Sequence, residues 1–146
     1  GELKISELQE ELNSLFLAEE DKNLLHLSLI SFGFKYGIPR DADLVMDVRF
    51  LPNPYYVESL REKTGNDQQV QDYVLKWPLT DKFYDKFFGL IDFLLPEYKK
   101  EGKSHLSIAI GCTGGKHRSV TTVNKLAEFL QDKEFNINIE HRDIEK

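Results

Sequence analysis

Residues 111–119 read Gly-Cys-Thr-Gly-Gly-Lys-His-Arg-Ser and lie between two segments of opposite periodicity. Before them, His105-Leu106-Ser107-Ile108-Ala109-Ile110 alternates its apolar residues as a strand does. After them, Val120, Val123, Leu126, Ala127 and Leu130 recur on one face of a helix. A strand that hands over to a helix through a loop with two glycines commits this half of the chain to an α/β unit. It also leaves N–H groups of the loop and the first helical turn without partners, and their convergence makes a partial positive charge. An oxyanion fits there without a side-chain base. Arg118 adds a planar, permanently charged fork that can hold two phosphate oxygens at once, and Lys116 and His117 are expected to strengthen the positive field. The bland alternative is a tight turn with three basic residues on a solvated rim; placement directly after a strand favours the anion site.

The spacing of Cys112, Gly115, Arg118 and Ser119 resembles the Cys-x5-Arg-Ser phosphate loop of protein tyrosine phosphatases, where the cysteine is a nucleophile and the arginine stabilises transition-state oxyanions. Trp77-Pro78 with Asp81 nearby resembles the loop that supplies those enzymes with a general acid. Two positions depart from that pattern, with Gly111 where a histidine is usual and Leu79 where the acid should follow Trp-Pro. The other reading makes Cys112 a small lining residue and Trp77-Pro78 a break between two helices, because proline disfavours helix at the residue before it. The break is the preferred reading.

Over 146 residues, 40% hydrophobic and 12% aromatic content suffices for one domain with a sizeable core. No stretch reaches the roughly 18 uninterrupted apolar residues of a membrane helix, and the first residues are too acidic and polar for a signal peptide, so a cytoplasmic protein away from membranes is expected. One cysteine allows no intrachain disulfide, and the histidines at 26, 105, 117 and 141 have no metal-ligand spacing with it, so no metal is expected. A net charge of −6 argues against a generally nucleic-acid-binding surface while leaving room for a local basic patch.

Along the chain, residues 5–17 read as a helix with Ile5, Leu8, Leu12, Leu15 and Phe16 on one face and Ser6 with Gln9 spaced as a capping box. A charged linker reaches residue 23. Residues 24–32 read as the first strand, and residues 33–41 as a turn-rich connection. Residues 44–48, Leu-Val-Met-Asp-Val, are a short apolar run of the kind buried in parallel sheets. Asp47 interrupts it. A carboxylate there needs a partner, and Arg49, two residues on, points to the same side of a strand; an Asp47–Arg49 ion pair is one reading and contact with a ligand at the strand's C-terminal end is the preferred one. Residues 49–54 are too proline-rich for regular structure, and the polar stretch that follows to Gly65 makes a long irregular segment of the kind that is often functional. Val70, Tyr73 and Val74 begin a helical pattern; Phe83, Phe87, Leu90, Ile91 and Leu94 form another, read as core. Residues 137–142 alternate as a terminal, edge strand. The order β-loop-β-α-α-β-α-β predicts an α/β layered sandwich with a mostly parallel sheet, the Cys-x5-Arg loop lying between a strand and a helix.

Four segments taken together resemble one family: Ser31-Phe32-Gly33-Phe34-Lys35-Tyr36-Gly37, Asp47-Val48-Arg49-Phe50-Leu51-Pro52-Asn53-Pro54, residues 111–120, and His141-Arg142 with Glu145-Lys146. The family is RapZ (YvcJ), a set of bacterial nucleotide-binding and RNase adapter proteins, and the likeness runs from about Leu24 onward. It implies a two-domain protein whose N-terminal P-loop domain hydrolyses ATP or GTP. No Gly-x4-Gly-Lys-Ser/Thr sequence occurs here, so residues 1–23 are read as a helix and linker joining to that domain and residues 24–146 as the C-terminal ligand-binding domain, with no cofactor of its own and no catalytic residue expected. By resemblance, a site for a phosphorylated sugar such as glucosamine-6-phosphate falls on Asp47, Arg49, Cys112, Thr113, Gly114, His117 and Arg118, to which the loop reading adds Gly115, Lys116 and Ser119. The resemblance further implies binding of small RNA, its presentation to an endonuclease, and self-association as a homo-oligomer. Lys35, Arg40, Arg142 and Lys146 are the candidate RNA contacts. The alternative is a cysteine-dependent phosphatase using Cys112, Arg118 and Asp81.

Overall fold

The computed structural model describes residues 24–146. The helix expected over residues 5–17 and the linker after it lie outside the described residues. Within them the chain forms β1 (Leu25–Gly33), β2 (Leu44–Asp47), α1 (Gln68–Leu75), α2 (Pro78–Lys100), β3 (His105–Cys112), α3 (Arg118–Leu130) and β4 (Phe135–His141). The strands make one sheet in the order β2-β3-β1-β4, and every neighbouring pair is parallel. This is the α/β architecture with a parallel sheet that the alternation of patterns predicts, since parallel neighbours need long crossover connections.

Residue patterning explains the layering. In β1, Leu25, Leu27 and Leu29 are buried while His26, Ser28 and Ile30 between them are half-buried. β3 has a strand on each side and is buried from Leu106 onward. Tyr84, Phe87, Phe88, Ile91 and Leu95 of α2 fall at helical spacing and join the core with Val123, Leu126 and Leu130 of α3. Each such side chain contributes about 2 kcal/mol by leaving water. Tyr84 is pinned as well as packed: its hydroxyl lies 2.8 Å from Thr122 Oγ1, and Thr122 donates to the carbonyl of Arg118 at 2.8 Å. Burial pushes the Tyr84 phenol well above its ordinary pKa, so it stays a neutral hydrogen-bonding group.

Trp77 has extended backbone and Pro78 opens α2 at its first turn, so Trp77-Pro78 is the break between α1 and α2. β4 is an edge strand, as its polar face predicts, and begins at Phe135. No helix of the described residues is long and apolar enough to cross a membrane.

The parallel register sets the stage for a site. Gly33 pairs with Cys112, Asp47 with Gly111 and Ser31 with His141, so the C-terminal ends of all four strands lie along one edge of the sheet. Ligands of open α/β sheets bind outside that edge.

Candidate functional site

The loop of residues 113–117 runs from the last residue of β3 to the first of α3. Gly115 has φ +78°, a left-handed conformation that favours glycine. A Cβ on it would lie 2.6 Å from the Gly33 nitrogen, and a Cβ on Gly33 would lie 2.5 Å from the Gly114 carbonyl carbon. The loop and the end of β1 therefore touch backbone to backbone, which fixes where the loop sits. Lys35 N–H also donates to the carbonyl of Thr113 at 3.3 Å. Among the described residues, no backbone acceptor meets the N–H groups of residues 114–118, which lead into α3.

Arg118 is the central side chain. It is only 5% exposed, and its Nη1 donates to the carbonyls of Arg49 and of Leu51, the latter at 3.2 Å, while Nη2 reaches Thr113 Oγ1 at 3.4 Å. Its Nε has no partner. Burial lowers its pKa, yet a guanidinium at neutral pH stays charged. One side chain thus anchors the irregular segment after β2 and carries a buried positive charge to the cavity wall.

The neighbours of Arg118 divide into those that line the cavity and those that support it. Cys112 is buried, with Sγ 3.1 Å from Ser119 Oγ; Ser119 is fully buried and sits behind the wall. His117 Nε2–H donates to the carbonyl of Arg61 at 3.2 Å. Burial holds the His117 pKa below the ordinary histidine value, so the ring is neutral at pH 7. This corrects the expectation that His117 adds to the positive field: its imidazole is a tether for the 61–65 turn.

A cavity of about 450 Å³ opens over this loop, within the range of small-molecule sites. Of the residues named from sequence, Cys112, Thr113, Gly114, Lys116, His117 and Arg118 line it. So do Lys35 and Lys146, singled out as RNA contacts, whose ammonium groups lie 5.2 and 4.7 Å from the centre of the Tyr36 ring. Arg40 and Arg142 are absent from the wall; Arg142 instead donates to the carbonyl of Gly37 at 2.6 Å and pairs with Asp143 at 2.8 Å. Sequence reasoning missed Asn53, Tyr55, Tyr56, Arg61 and Glu62, all of which face the cavity from the irregular segment. The signal available was the length of that segment.

Asp47 and Arg49 take the ion-pair arrangement. Arg49 Nε lies 3.0 and 3.1 Å from the two Asp47 oxygens, Nη2 lies 2.7 Å from Oδ2, and the Arg49 N–H donates to Oδ1 at 2.9 Å. These bonds from Arg49 hold the Asp47 carboxyl below the usual carboxylate range. Neither side chain is part of the cavity wall. Asp81 is in the first turn of α2 and is likewise not part of the wall. Asp143 is fully buried beside the loop and accepts from Gly33 N–H at 2.8 Å, from Arg142 and from Lys146 Nζ at 2.9 Å. Among the described residues, no cluster of histidine, cysteine, aspartate or glutamate could hold a metal ion.

Comparison with known proteins gives this architecture a family. Residues 25–145 match the family model described as the RapZ C-terminal domain. Among the curated relatives, the "Nucleotide-binding protein" of Halothermothrix orenii is 61% identical over 140 residues, covering 96% of this chain and 48% of the relative. Those of Heliobacterium modesticaldum and Bacillus pumilus are 54% and 53% identical over 146 residues, covering all of this chain and 48% and 49% of theirs. The chain spans about half the length of the curated relatives it matches. With the domain match running over nearly all the described residues and more than half of the positions shared with such relatives, the chain belongs to the RapZ family, and residues 25–145 are its C-terminal domain.

Proposed function

We propose that this domain is a regulatory, non-catalytic module that binds a phosphorylated amino sugar such as glucosamine-6-phosphate in the cavity over residues 113–117. The observation that carries the reading is the buried Arg118 guanidinium on the cavity wall, with Nε unpartnered, beside a run of N–H groups that find no acceptor in the described residues. A phosphoryl group supplies the missing acceptors, and its oxygens take charge-assisted bonds from donors that are already in position. Lys35, Lys116 and Lys146 surround the same space, so the dianion is drawn in by a local positive field despite the net charge of −6. Asp47 then acts at one remove: by holding Arg49 it positions the carbonyl that receives Arg118.

Titration calorimetry of the chain with glucosamine-6-phosphate, beside glucosamine and inorganic phosphate, tests the reading. Binding should need both the phosphate and the sugar, and should weaken at least tenfold in Lys116→Ala combined with Arg118→Lys. Since Arg118 also holds two carbonyls, circular dichroism must show each variant folded. Absence of binding at millimolar ligand would sink the proposal.

Contact with RNA is a second reading, favoured by one observation: Lys35 and Lys146, both over the Tyr36 ring, line the cavity with Tyr55 and Tyr56, a mixture of cations and rings that suits single-stranded nucleic acid. Its affinity must then fall steeply with salt. Presentation of RNA to an endonuclease, hydrolysis of ATP or GTP by a separate N-terminal domain, homo-oligomer formation and a cytoplasmic setting belong to the same proposal for the whole protein. The phosphatase reading draws less support, because Asp81 does not face the cavity that Cys112 and Arg118 line.

A further inference from the structure

We propose that the outer edge of β4 receives an extended, basic segment of a partner protein as a further strand of the sheet, with an apolar side chain of that segment seated in a groove between β4 and α3. The order β2-β3-β1-β4 leaves two edges, and the chain treats them differently. β2 has only four residues and is flanked by ion pairs, Asp43 with Lys103 at 3.0 Å and Asp47 with Arg49 at 2.7 Å. Shortness and charge are the usual protection of an edge against another strand. β4 runs for seven residues, Phe135–His141, with no lysine, proline or glycine among them. All seven pair with β1, so the strand is extended and regular over its whole length. From Asn136 onward, its N–H and C=O groups turned away from β1 meet no backbone partner among the described residues.

A groove of about 460 Å³ lies beside this edge and shares no lining residue with the cavity over residues 113–117. Ile137 and Ile139 of β4 line it together with Ala127 and Gln131 of α3 and Gln71 of α1. The two isoleucines are in register with Leu27 and Leu29 of β1, so they are on the face of the sheet that the core occupies. There α3 buries its apolar side chains against the inner strands and leaves the edge strand less covered: Ile139 is 44% exposed. Side chains of a strand alternate between the two faces of a sheet. An apolar residue of an added strand therefore enters this groove and covers both isoleucines.

Charge selects the occupant. Asp132 and Glu134 precede the strand and Glu140 is near its end; all three are exposed and form no ion pair with any described residue. The cations nearby are engaged, Lys125 with Glu128 at 3.3 Å, Lys133 with Asp92 at 2.6 Å and Arg142 with Asp143 at 2.8 Å. A basic segment thus meets uncommitted carboxylates at both ends of the edge. A second copy of this chain meets the opposite. In an antiparallel pair centred on Ile137, Glu134 of each copy comes opposite Glu140 of the other, and like charges directly opposite destabilise a ladder. Glu140 shares the face of Asn136 and Asn138, away from the isoleucines. The segment that satisfies both faces alternates apolar residues, turned to the groove, with lysines or arginines, turned to the carboxylates. Main-chain bonds along the edge supply affinity and the groove supplies selection.

The test titrates the full chain into a fluorescent, end-capped peptide, Lys-Val-Lys-Ile-Lys-Val-Lys, and follows anisotropy. Two control peptides accompany it, one with the internal backbone nitrogens methylated and one with glutamate in place of every lysine. The parent peptide should bind and neither control should, because the methylated one keeps charge and side chains while losing its strand donors. Glu134→Lys combined with Glu140→Lys should weaken the parent about tenfold, as expected for two exposed charge pairs turned repulsive, and Ile139→Lys should remove binding. Circular dichroism checks that each variant is folded, and the methylated peptide tests the idea on the unaltered protein. Hydrogen exchange should slow in β4 on adding the parent peptide and stay the same in β2. The inference is overturned if the methylated peptide binds as well as the parent, which would leave contact through charge alone, if the slowing falls outside β4, or if millimolar parent peptide does not bind. A chain that light scattering finds dimeric, with β4 amides that lose protection on dilution, also overturns it by making a second copy the occupant.

Discussion

Replacing Asp143 by asparagine should destabilise the domain by about 2 kcal/mol at pH 7 and by little at pH 2. The carboxylate is closed to solvent and accepts from Gly33 N–H, Arg142 and Lys146, and these partners hold its pKa down to about 2 against an ordinary 3.8, although burial alone would raise it. At 1.36 kcal/mol per pH unit, that difference is about 2.4 kcal/mol of folding free energy. Lys146 is half exposed and keeps some of its hydration, so about 2 kcal/mol is the figure to expect. The sign follows from the direction of the displacement. A carboxyl with a depressed folded pKa stabilises fully above its unfolded value and loses that contribution as pH falls towards the folded one. The gap between wild type and Asp143→Asn should therefore be constant from pH 7 to about pH 5, narrow below pH 4, and drop under about 0.5 kcal/mol at pH 2. Urea unfolding followed by far-ultraviolet circular dichroism at each pH measures it directly. A gap that is missing at pH 7, or that keeps its size down to pH 2, would refute the claim that ionised Asp143 clamps the end of β1 to residues 142–146.

Other outcomes follow from neighbouring features. His141 Nε2–H donates to Asn124 Oδ1 at 3.1 Å and Nδ1 accepts from Ser31 Oγ at 2.7 Å, and burial lowers its pKa as it does that of His117. The unfolded chain then takes up protons more readily below its ordinary histidine value near 6.5, so stability should decline as pH falls through that value and level off below the folded pKa values; His141→Gln should flatten part of this slope in pH-dependent melts. Gly115→Ala must accept both a left-handed φ of +78° and a Cβ 2.6 Å from the Gly33 nitrogen, and should lose about 3 kcal/mol in urea unfolding while weakening phosphate binding. Cys112→Ser should leave ligand affinity within about threefold in calorimetry, since the thiol's partner is Ser119 and a hydroxyl preserves that contact; a phosphatase rate abolished by the same change would instead support covalent catalysis.

The framework was legible because it obeys short-range rules. Alternation in β1 and β3, helical spacing in α2 and α3 and the proline after Trp77 each specify local structure from a few residues, and the parallel sheet follows from helices standing between strands. The loop was legible for the same reason, with glycine, arginine and a strand end in one short run. Other parts of the site depend on distant partners. Residues 49–65 have no periodicity; their path is set by Arg118 gripping two carbonyls and by Gly65 settling on α3, so Tyr55, Tyr56, Arg61 and Glu62 could not be assigned to a cavity from sequence. Asp143 sits in a run of charged residues, and its burial is explained by partners that a local pattern does not show, the distant Gly33 N–H together with Arg142 and Lys146. Asp47 shows the opposite limit: its spacing from Arg49 gave both readings, and in the structure the two side chains pair.

The bond between Asp143 and Gly33 spans 110 residues. On a ribosome, β1 and β3 can pair while residues 143–146 are still inside the exit tunnel. At that stage the end of β1 has an unanswered N–H, and the cleft lacks the side that Lys146 supplies. The loop of residues 113–117 is consequently synthesised before the wall that Lys146 completes, and a small molecule that fits the whole pocket meets it only once this segment has followed. Such a ligand can lengthen the lifetime of the finished domain by binding its folded form.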